Sequence, residues 1–442
     1  MRIRTSLVVG VTAGAVALAL VGAVPVVASG TPGAGTGSGT GTGVVAAPTP
    51  APTPPPTTTP PTSPPPESGP LPVDPHDGPG MPLDFPAQAP AAPGARAVPW
   101  HLVGSGWSAV VWHTPVHTQA DASAPGTLLL VGRGGERYPI TAVPFWTSLE
   151  DVSPDGRRVV FVTNGHTAWM GTPRVTVLDL RTRRTTTFLL KGEASQVRFT
   201  RPSGDSLLIA RAATAFVVER RSLSGRLLRS YGQAPFPAAS VLLPTRNGTY
   251  LLVRHARGIA VRSLATGRMI RLLKAPAGQT CQPQRWWNAT TATVICTDAA
   301  GVYRVWLYPL SGARPIRLTA GAIAGAAQGF DDGWRAGRGA LVQSMSMIMT
   351  PELFRRDARG RITPVRWPST VVPAGPRIRV HAVVAGWVYL GVATGGEGFG
   401  IDAERARSLI RIDPITGRAR TLAGPGANGG AVTAVAVIDP LA

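Results

Sequence analysis

A strand–turn–strand signature that recurs seven times constrains this chain more than any other feature. Its copies lie at 128–138, 177–188, 218–228, 261–270, 306–316, 353–362 and 410–420. Two of them read Val261-Arg262-Ser263-Leu264-Ala265-Thr266-Gly267-Arg268-Met269-Ile270 and Ile410-Arg411-Ile412-Asp413-Pro414-Ile415-Thr416-Gly417-Arg418. The turns centre near residues 134, 182, 225, 267, 312, 359 and 417, so most intervals are about 42–48 residues. That is the length of one four-stranded propeller blade. Short runs of Val, Ile, Leu and Trp alternate with turn residues, and helical periodicity is absent beyond the apolar N-terminus. The expected fold is all-β, a seven-bladed β-propeller in which each hairpin supplies the third and fourth strands of a blade.

The first two strands of each blade should lie between the hairpins. In blade two they read Leu149–Val152 and Arg157–Val162, joined by Ser153-Pro154-Asp155-Gly156, a type I turn by its Pro and Gly positions. Blade three offers Gln196–Thr200 and Ser206–Ala210, and blade four offers Ala239–Leu243 and Thr249–Val253. The run Ser153-Pro154-Asp155-Gly156-Arg157-Arg158-Val159-Val160-Phe161 resembles the Pro-Asp, WD40-like repeat of TolB-type β-propellers. By period the resemblance extends over about 340 residues, while the motif itself stands in blade two. It implies a propeller used for protein–protein contact and carries over no catalytic residue. Blade one lacks a first strand, and Ala431–Ile438 is a strand with nothing after it. The two ends should share a blade, with the C-terminal strand pairing with Gly106–Trp112 and removing an open edge.

Before the propeller the composition shifts twice. Arg2 and Arg4 precede an apolar run from Leu7 to Val27 that ends in small residues. Residues 1–28 therefore read as a signal peptide, or as a membrane anchor through residues 7–27 if uncleaved. Residues 29–97 are Gly/Thr-rich and then Pro/Thr-rich, a disordered linker expected to behave as a semi-rigid stalk. The propeller should occupy 98–442. An exported protein at the cell envelope, and a monomer, is the expectation.

Basic charge follows the propeller. Removing Arg2 and Arg4 from 44 basic residues, and Glu67, Asp74, Asp77 and Asp84 from 23 acidic ones, leaves 42 minus 19, or +23, for 96–442. Arginines gather at the hairpins, among them Arg181, Arg183, Arg184, Arg220, Arg221, Arg226, Arg355, Arg356, Arg359, Arg361, Arg418 and Arg420. Charged edge strands block sheet-to-sheet aggregation, and the same charge would attract a polyanion.

Cys281 and Cys296 flank a hairpin centred near Asn288 and Ala289, so they should face each other and form a disulfide in an oxidising compartment. His113 and His117 have metal-like spacing only on a helix, which Pro115 opposes. Asp331-Asp332 could bind a cation but reads as a turn at a first strand. No catalytic, cofactor-binding or metal site is assigned, and no cofactor is expected. The second-to-third-strand connections are long in blades one (113–126), two (163–174) and seven (393–407). Those blades are consecutive around a ring, and long loops are unusual unless used. They make a candidate binding face carrying His113, His117, Asp121, Asn164, His166, Trp169, Glu397, Phe399, Asp402 and Glu404. The expected function is a non-enzymatic binding or scaffolding module for a protein or an anionic envelope polymer, without specific nucleic-acid recognition. The alternative is a propeller enzyme (lyase, lactonase or glycosyl hydrolase) with its site over the central channel.

Overall fold

A computed structural model describes residues 97–113, 125–145, 147–163, 172–212, 216–234, 242–323, 328–344, 352–365, 377–393, 408–424 and 431–439. They form seven four-stranded antiparallel sheets. Blade one holds β1 (Ser108–His113), β2 (Gly126–Val131) and β3 (Arg137–Val143). Blade two is β4 (Thr147–Val152), β5 (Arg158–Thr163), β6 (Arg174–Asp179) and β7 (Thr185–Leu189). Blade three is β8 (Glu193–Phe199), β9 (Ser206–Ala212), β10 (Phe216–Ser222) and β11 (Leu227–Ala234). Blade four is β12 (Leu243–Pro244), β13 (Tyr250–His255), β14 (Gly258–Ser263) and β15 (Met269–Lys274). Blade five is β16 (Thr280–Asn288), β17 (Thr291–Thr297), β18 (Tyr303–Pro309) and β19 (Ile316–Arg317). Blade six is β20 (Phe330–Ala336), β21 (Gly339–Ser344), β22 (Leu353–Arg356) and β23 (Ile362–Pro364). Blade seven is β24 (Arg377–Val384), β25 (Trp387–Ala393), β26 (Ser408–Ile412) and β27 (Ala419–Ala423). All seven hairpins of the sequence signature are the third and fourth strands of their blades.

The last strand, β28 (Ala431–Val437), closes the ring. It is the innermost strand of blade one and pairs antiparallel with β1 from Ser108↔Val437 to His113↔Ala431. Ile438 adds two backbone bonds, accepting from Gly106 at 2.8 Å and donating to Trp107 at 2.7 Å. The apolar faces of neighbouring blades pack on each other. Between blades one and two, Trp107, Leu128, Val159, Leu178 and Ile438 form a continuous buried cluster. The turn at 153–156 closes as expected, Gly156 donating to Ser153 at 2.8 Å with φ of 67°.

Cys281 and Cys296 are direct partners in the β16–β17 register, 4.1 Å apart at Cα, and are joined by a disulfide. Asp331-Asp332 is corrected: both residues lie within β20, not in a turn. Two adjacent carboxylates before Gly333 have turn chemistry, but here a bulge between Phe330 and Asp332 accommodates them inside the strand.

That bulge is one of a set. Among the described residues, six of the seven innermost strands carry an extra residue, at Glu150 (β4), Ser195 (β8), Gln284 (β16), Asp331 (β20), His381 (β24) and Thr433 (β28), besides a second bulge at Trp287 near the end of β16. A bulge leaves its extra residue out of the ladder and bends the strand. The first six residues are polar, and none is sealed from solvent. They set a belt of polar residues on the strands around the central channel.

Candidate functional site

The antiparallel meander returns two turns to the same end of each blade, the one after its first strand and the one after its third. Identical connectivity around the ring gathers them on one face of the propeller. The hairpin arginines separate here into two kinds. Arg220 and Arg221 are half-buried and paired, Arg220 with Asp205 at 3.4 Å and Arg221 with Glu219 at 2.8 Å, and they hold blade three together. Arg181, Arg183, Arg184, Arg226, Arg268, Arg359, Arg361 and Arg418 stand exposed on the turns after the third strands.

Carboxylates on the same turns are engaged by their own backbone. Asp179 accepts from the amides of Arg181 at 3.0 Å and Thr182 at 2.7 Å. Asp357 accepts from the amides of Arg359 at 3.0 Å and Arg361 at 2.8 Å, and Asp413 accepts from Ile415 at 2.8 Å. The Arg361 amide, with that of Arg359, holds the Asp357 carboxyl below the usual range. Burial pushes the Asp179 carboxyl up, but the Thr182 amide and hydroxyl, the Arg181 amide and the Arg157 charge bring it below that range. These acids shape the turns, and the exposed arginine side chains stand beside them, Arg361 also pairing loosely with Asp357 at 3.9 Å.

One turn departs from the rest. Its left-handed position is glycine in six blades: Gly135, Gly225, Gly267, Gly312, Gly360 and Gly417, with φ between 72° and 88°. In blade two that position is Arg183, at φ of 60°. A non-glycine residue loses about 1–2 kcal/mol there. Blade two retains a strained arginine where every other blade has the relaxed residue, and such outliers point to use.

A second constellation lies on and beside the innermost strands. Asp151 pairs with Arg201 at 3.1 Å and accepts from the Phe199 amide at 2.8 Å, joining blade two to blade three. Glu150 accepts from Ser148 Oγ at 2.9 Å and from the Val197 amide at 3.3 Å. Arg285 grips Asp332 through both carboxylate oxygens and lies 4.3 Å over the Trp334 ring. Around Arg285 stand Arg198, Asp331 and His381, each within its electrostatic reach. Arg198 Nε, Asp331 Oδ1 and His381 Nε2 are shielded atoms without a hydrogen-bond partner among the described residues. Leaving such an atom unpaired costs about 1–3 kcal/mol. Burial, then the Asp332 charge, raises the Asp331 carboxyl to about 7. Burial, then the charges of Arg379 and Arg285, lowers the His381 imidazole to about 3, so it is neutral at neutral pH. Burial lowers Arg198 as well. These side chains are deeply enclosed by protein yet only half-buried by exposure, as on the wall of a wet channel.

Of the loop face expected from sequence, His113 lies within the described residues. It ends β1, is 4% exposed, and packs edge-on against Phe145 with ring centroids 4.8 Å apart. Gly126 passes under its ring so closely that a Cβ would fall 2.6 Å from the imidazole. His113 is thus part of the blade-one interior. His117, Asp121, Asn164, His166, Trp169, Glu397, Phe399, Asp402 and Glu404 lie outside the described residues. Among the described residues no group of three or more His, Cys, Asp or Glu is placed to hold a metal ion.

Fold and surface together define a closed seven-bladed β-propeller with an arginine-bearing turn face and a polar channel. Comparison by sequence finds no matching family model and no matching curated protein. Comparison by structure finds other propeller-containing proteins. TolB from Acinetobacter baumannii is 14% identical with a TM-score of 0.43, over 76% of this chain and 67% of that chain. The β-propeller domain of the Trilobed protease from Pyrococcus furiosus is 12% identical with a TM-score of 0.45, over 67% of this chain and 90% of that domain. A prolyl endopeptidase is 13% identical with a TM-score of 0.49, over 77% of this chain, which spans about half (52%) of the endopeptidase chain.

Proposed function

We propose that this chain is an exported, non-enzymatic binding module that contacts an anionic partner of the cell envelope through its turn face. The observation that carries this reading is Arg183, held in the left-handed region among exposed arginines whose neighbouring carboxylates are taken up by turn amides. A face so charged attracts anions over roughly a Debye length, about 8 Å at physiological ionic strength, and loses that attraction in salt. The N-terminal Arg2, Arg4 and apolar run support export, as does the Cys281–Cys296 disulfide, since such bonds persist in oxidising compartments. The Pro/Thr-rich segment would hold the propeller away from the membrane as a stalk.

Cosedimentation of the full chain with purified anionic wall polymer tests the reading. Binding should weaken with added salt and fall when Arg181, Arg183 and Arg184 are changed together to Gln. Salt-insensitive binding, or binding indifferent to that change, would contradict it. In that case the loops of blades seven, one and two become the better surface, with a protein partner.

A further inference from the structure

We propose that the outer corner of blades three, four and five docks on an anionic lipid bilayer, its aliphatic side chains entering the headgroup boundary and its arginines meeting the lipid phosphates. The inference starts from one signature carried by three consecutive outermost strands. It reads Arg226-Leu227-Leu228-Arg229 in blade three, Arg268-Met269-Ile270-Arg271 in blade four and Arg314-Pro315-Ile316-Arg317 in blade five. Leu227, Leu228, Met269, Ile270 and Ile316 are 40–59% exposed, and they are five of the eight exposed large apolar side chains among the described residues. Single exposed apolar residues are ordinary, whereas clustered ones mark contact surfaces.

The three signatures form one surface. Arg229 Nη1 donates to the Thr266 carbonyl at 3.0 Å, in the turn that leads into β15. Arg271 Nη1 donates to the Leu310 carbonyl at 2.7 Å, in the turn that leads into β19. Each outer strand thus reaches across to the next blade. All six arginines are exposed, and none makes an ion pair among the described residues. Residues 222–234, 263–274 and 309–317, which hold the third-strand turns and fourth strands of these blades, contain no Asp or Glu. The matching segments of blades one, two, six and seven hold Glu136, Asp179, Asp357 and Asp413.

The chemistry of the corner selects its occupant. Its charge calls for an anionic surface and opposes a second copy of the same corner. Its edges are poor templates for an added strand, because Leu228 and Ile270 are the extra residues of bulges in β11 and β15, and a bulge breaks the ladder. Aromatic anchors, which dominate protein interfaces, are missing from all three signatures. Aliphatic side chains flanked by arginine suit a bilayer, where the former enter the headgroup boundary and the latter meet anionic lipid. The Gly/Thr-rich composition of residues 30–43 would let a tethered propeller turn back to the bilayer as well as stand off it. Arg226 and Arg268 belong to the turn face too, but attraction of a polymer needs charge alone and gives the exposed aliphatic residues no role.

Site-specific fluorescence tests the assignment. Cys281 and Cys296 are bonded to each other, so Met269→Cys gives the full chain one reactive thiol for the environment-sensitive dye NBD. In vesicles of phosphatidylcholine with phosphatidylglycerol the label should brighten, shift to the blue and be quenched by doxyl-labelled acyl chains. It should do so neither in pure phosphatidylcholine nor at high salt. Insertion of residues 7–27 would be common to both vesicles and cannot produce that difference. A label at Ile316→Cys should respond alike, and one at Ile415→Cys, on blade seven, should not. Leu228→Ser combined with Ile270→Ser should lower the docking constant read from the Met269 label at least about tenfold, with the circular dichroism spectrum and cosedimentation with wall polymer unchanged. The Arg181, Arg183 and Arg184 to Gln variant should leave the lipid response intact, so this proposal and the polymer contact fail separately. No response at positions 269 and 316, an equal response in pure phosphatidylcholine or at position 415, or an unaffected serine variant would overturn the proposal. A response to wall polymer without lipid would also overturn it and assign the corner to the polymer.

Discussion

Arg183→Gly separates stability from function in one substitution. Glycine relaxes the left-handed backbone at φ of 60°, where a side chain costs about 1–2 kcal/mol. Against that, glycine frees the unfolded chain, a loss of about 0.4–1 kcal/mol. The Arg183 side chain is exposed, so no packed core is lost. The turn bond from the residue 183 amide to the Asp179 carbonyl, 2.8 Å, is kept by any non-proline residue. The net expectation is a gain of about 0.5–1 kcal/mol, seen as a higher urea midpoint at unchanged slope. Affinity for anionic polymer should fall about three- to fivefold, the size expected of one solvent-exposed charge. A less stable variant would refute the strain argument. A more stable variant with full affinity would refute the functional reason for keeping arginine there.

The other perturbations are read in the same denaturation assay. Deleting residues 431–442 removes buried Val432, Ala436 and Ile438 and uncovers β1. The two larger side chains alone account for roughly 3–6 kcal/mol, so the protein should become insoluble or lose most of its stability; unchanged melting would refute closure by β28. Changing Cys281 and Cys296 to Ala opens a loop of sequence separation 15, a loss of about 3 kcal/mol in the chain-entropy model, and intact protein should show no alkylatable thiol without reductant. The channel predicts opposed pH slopes. Asp331 keeps its proton to about 7 in the fold, whereas the unfolded carboxyl releases it near 4, so its contribution falls as pH rises from about 4 to 7. His381 stays neutral down to about 3, whereas the unfolded imidazole takes a proton near 6.5, so its contribution falls as pH drops from about 6.5 to 3. Asp331→Asn should therefore stabilise at pH 8 and do little at pH 4, with His381→Gln removing the acid-side loss; parallel pH profiles for both variants and the parent would count against the burial of these groups.

Much of this architecture is legible in the sequence because turns are chemically explicit. Gly225, Gly267 and Gly417 mark hairpins at a fixed offset, and that offset supplies the blade period. The orphan strand at 431–438 and the missing first strand of blade one predict each other. The cysteines predict their own pairing because they stand equidistant from one turn. The channel is not legible. It takes one residue from each of several strands, from Glu150 to Thr433, and a one-residue bulge disturbs alternation without leaving a pattern of its own. Asp331-Asp332 shows the difficulty, since its local chemistry is that of a turn and only the β20–β21 register places it in a strand. The significance of Arg183 was also hidden, because it emerges only when seven turns are superimposed and six are found to carry glycine.

Arginine-selective labelling with phenylglyoxal, read by mass spectrometry with and without saturating anionic wall polymer, tests the central claim most directly. Polymer should protect Arg181, Arg183, Arg184, Arg226, Arg268, Arg359, Arg361 and Arg418, residues of one face drawn from several blades. Labelling of Arg254 and Arg257, at the opposite ends of the strands, should continue unchanged. Protection confined to Arg254 and Arg257, or spread evenly over all exposed arginines, would contradict the assignment of the turn face as the binding surface.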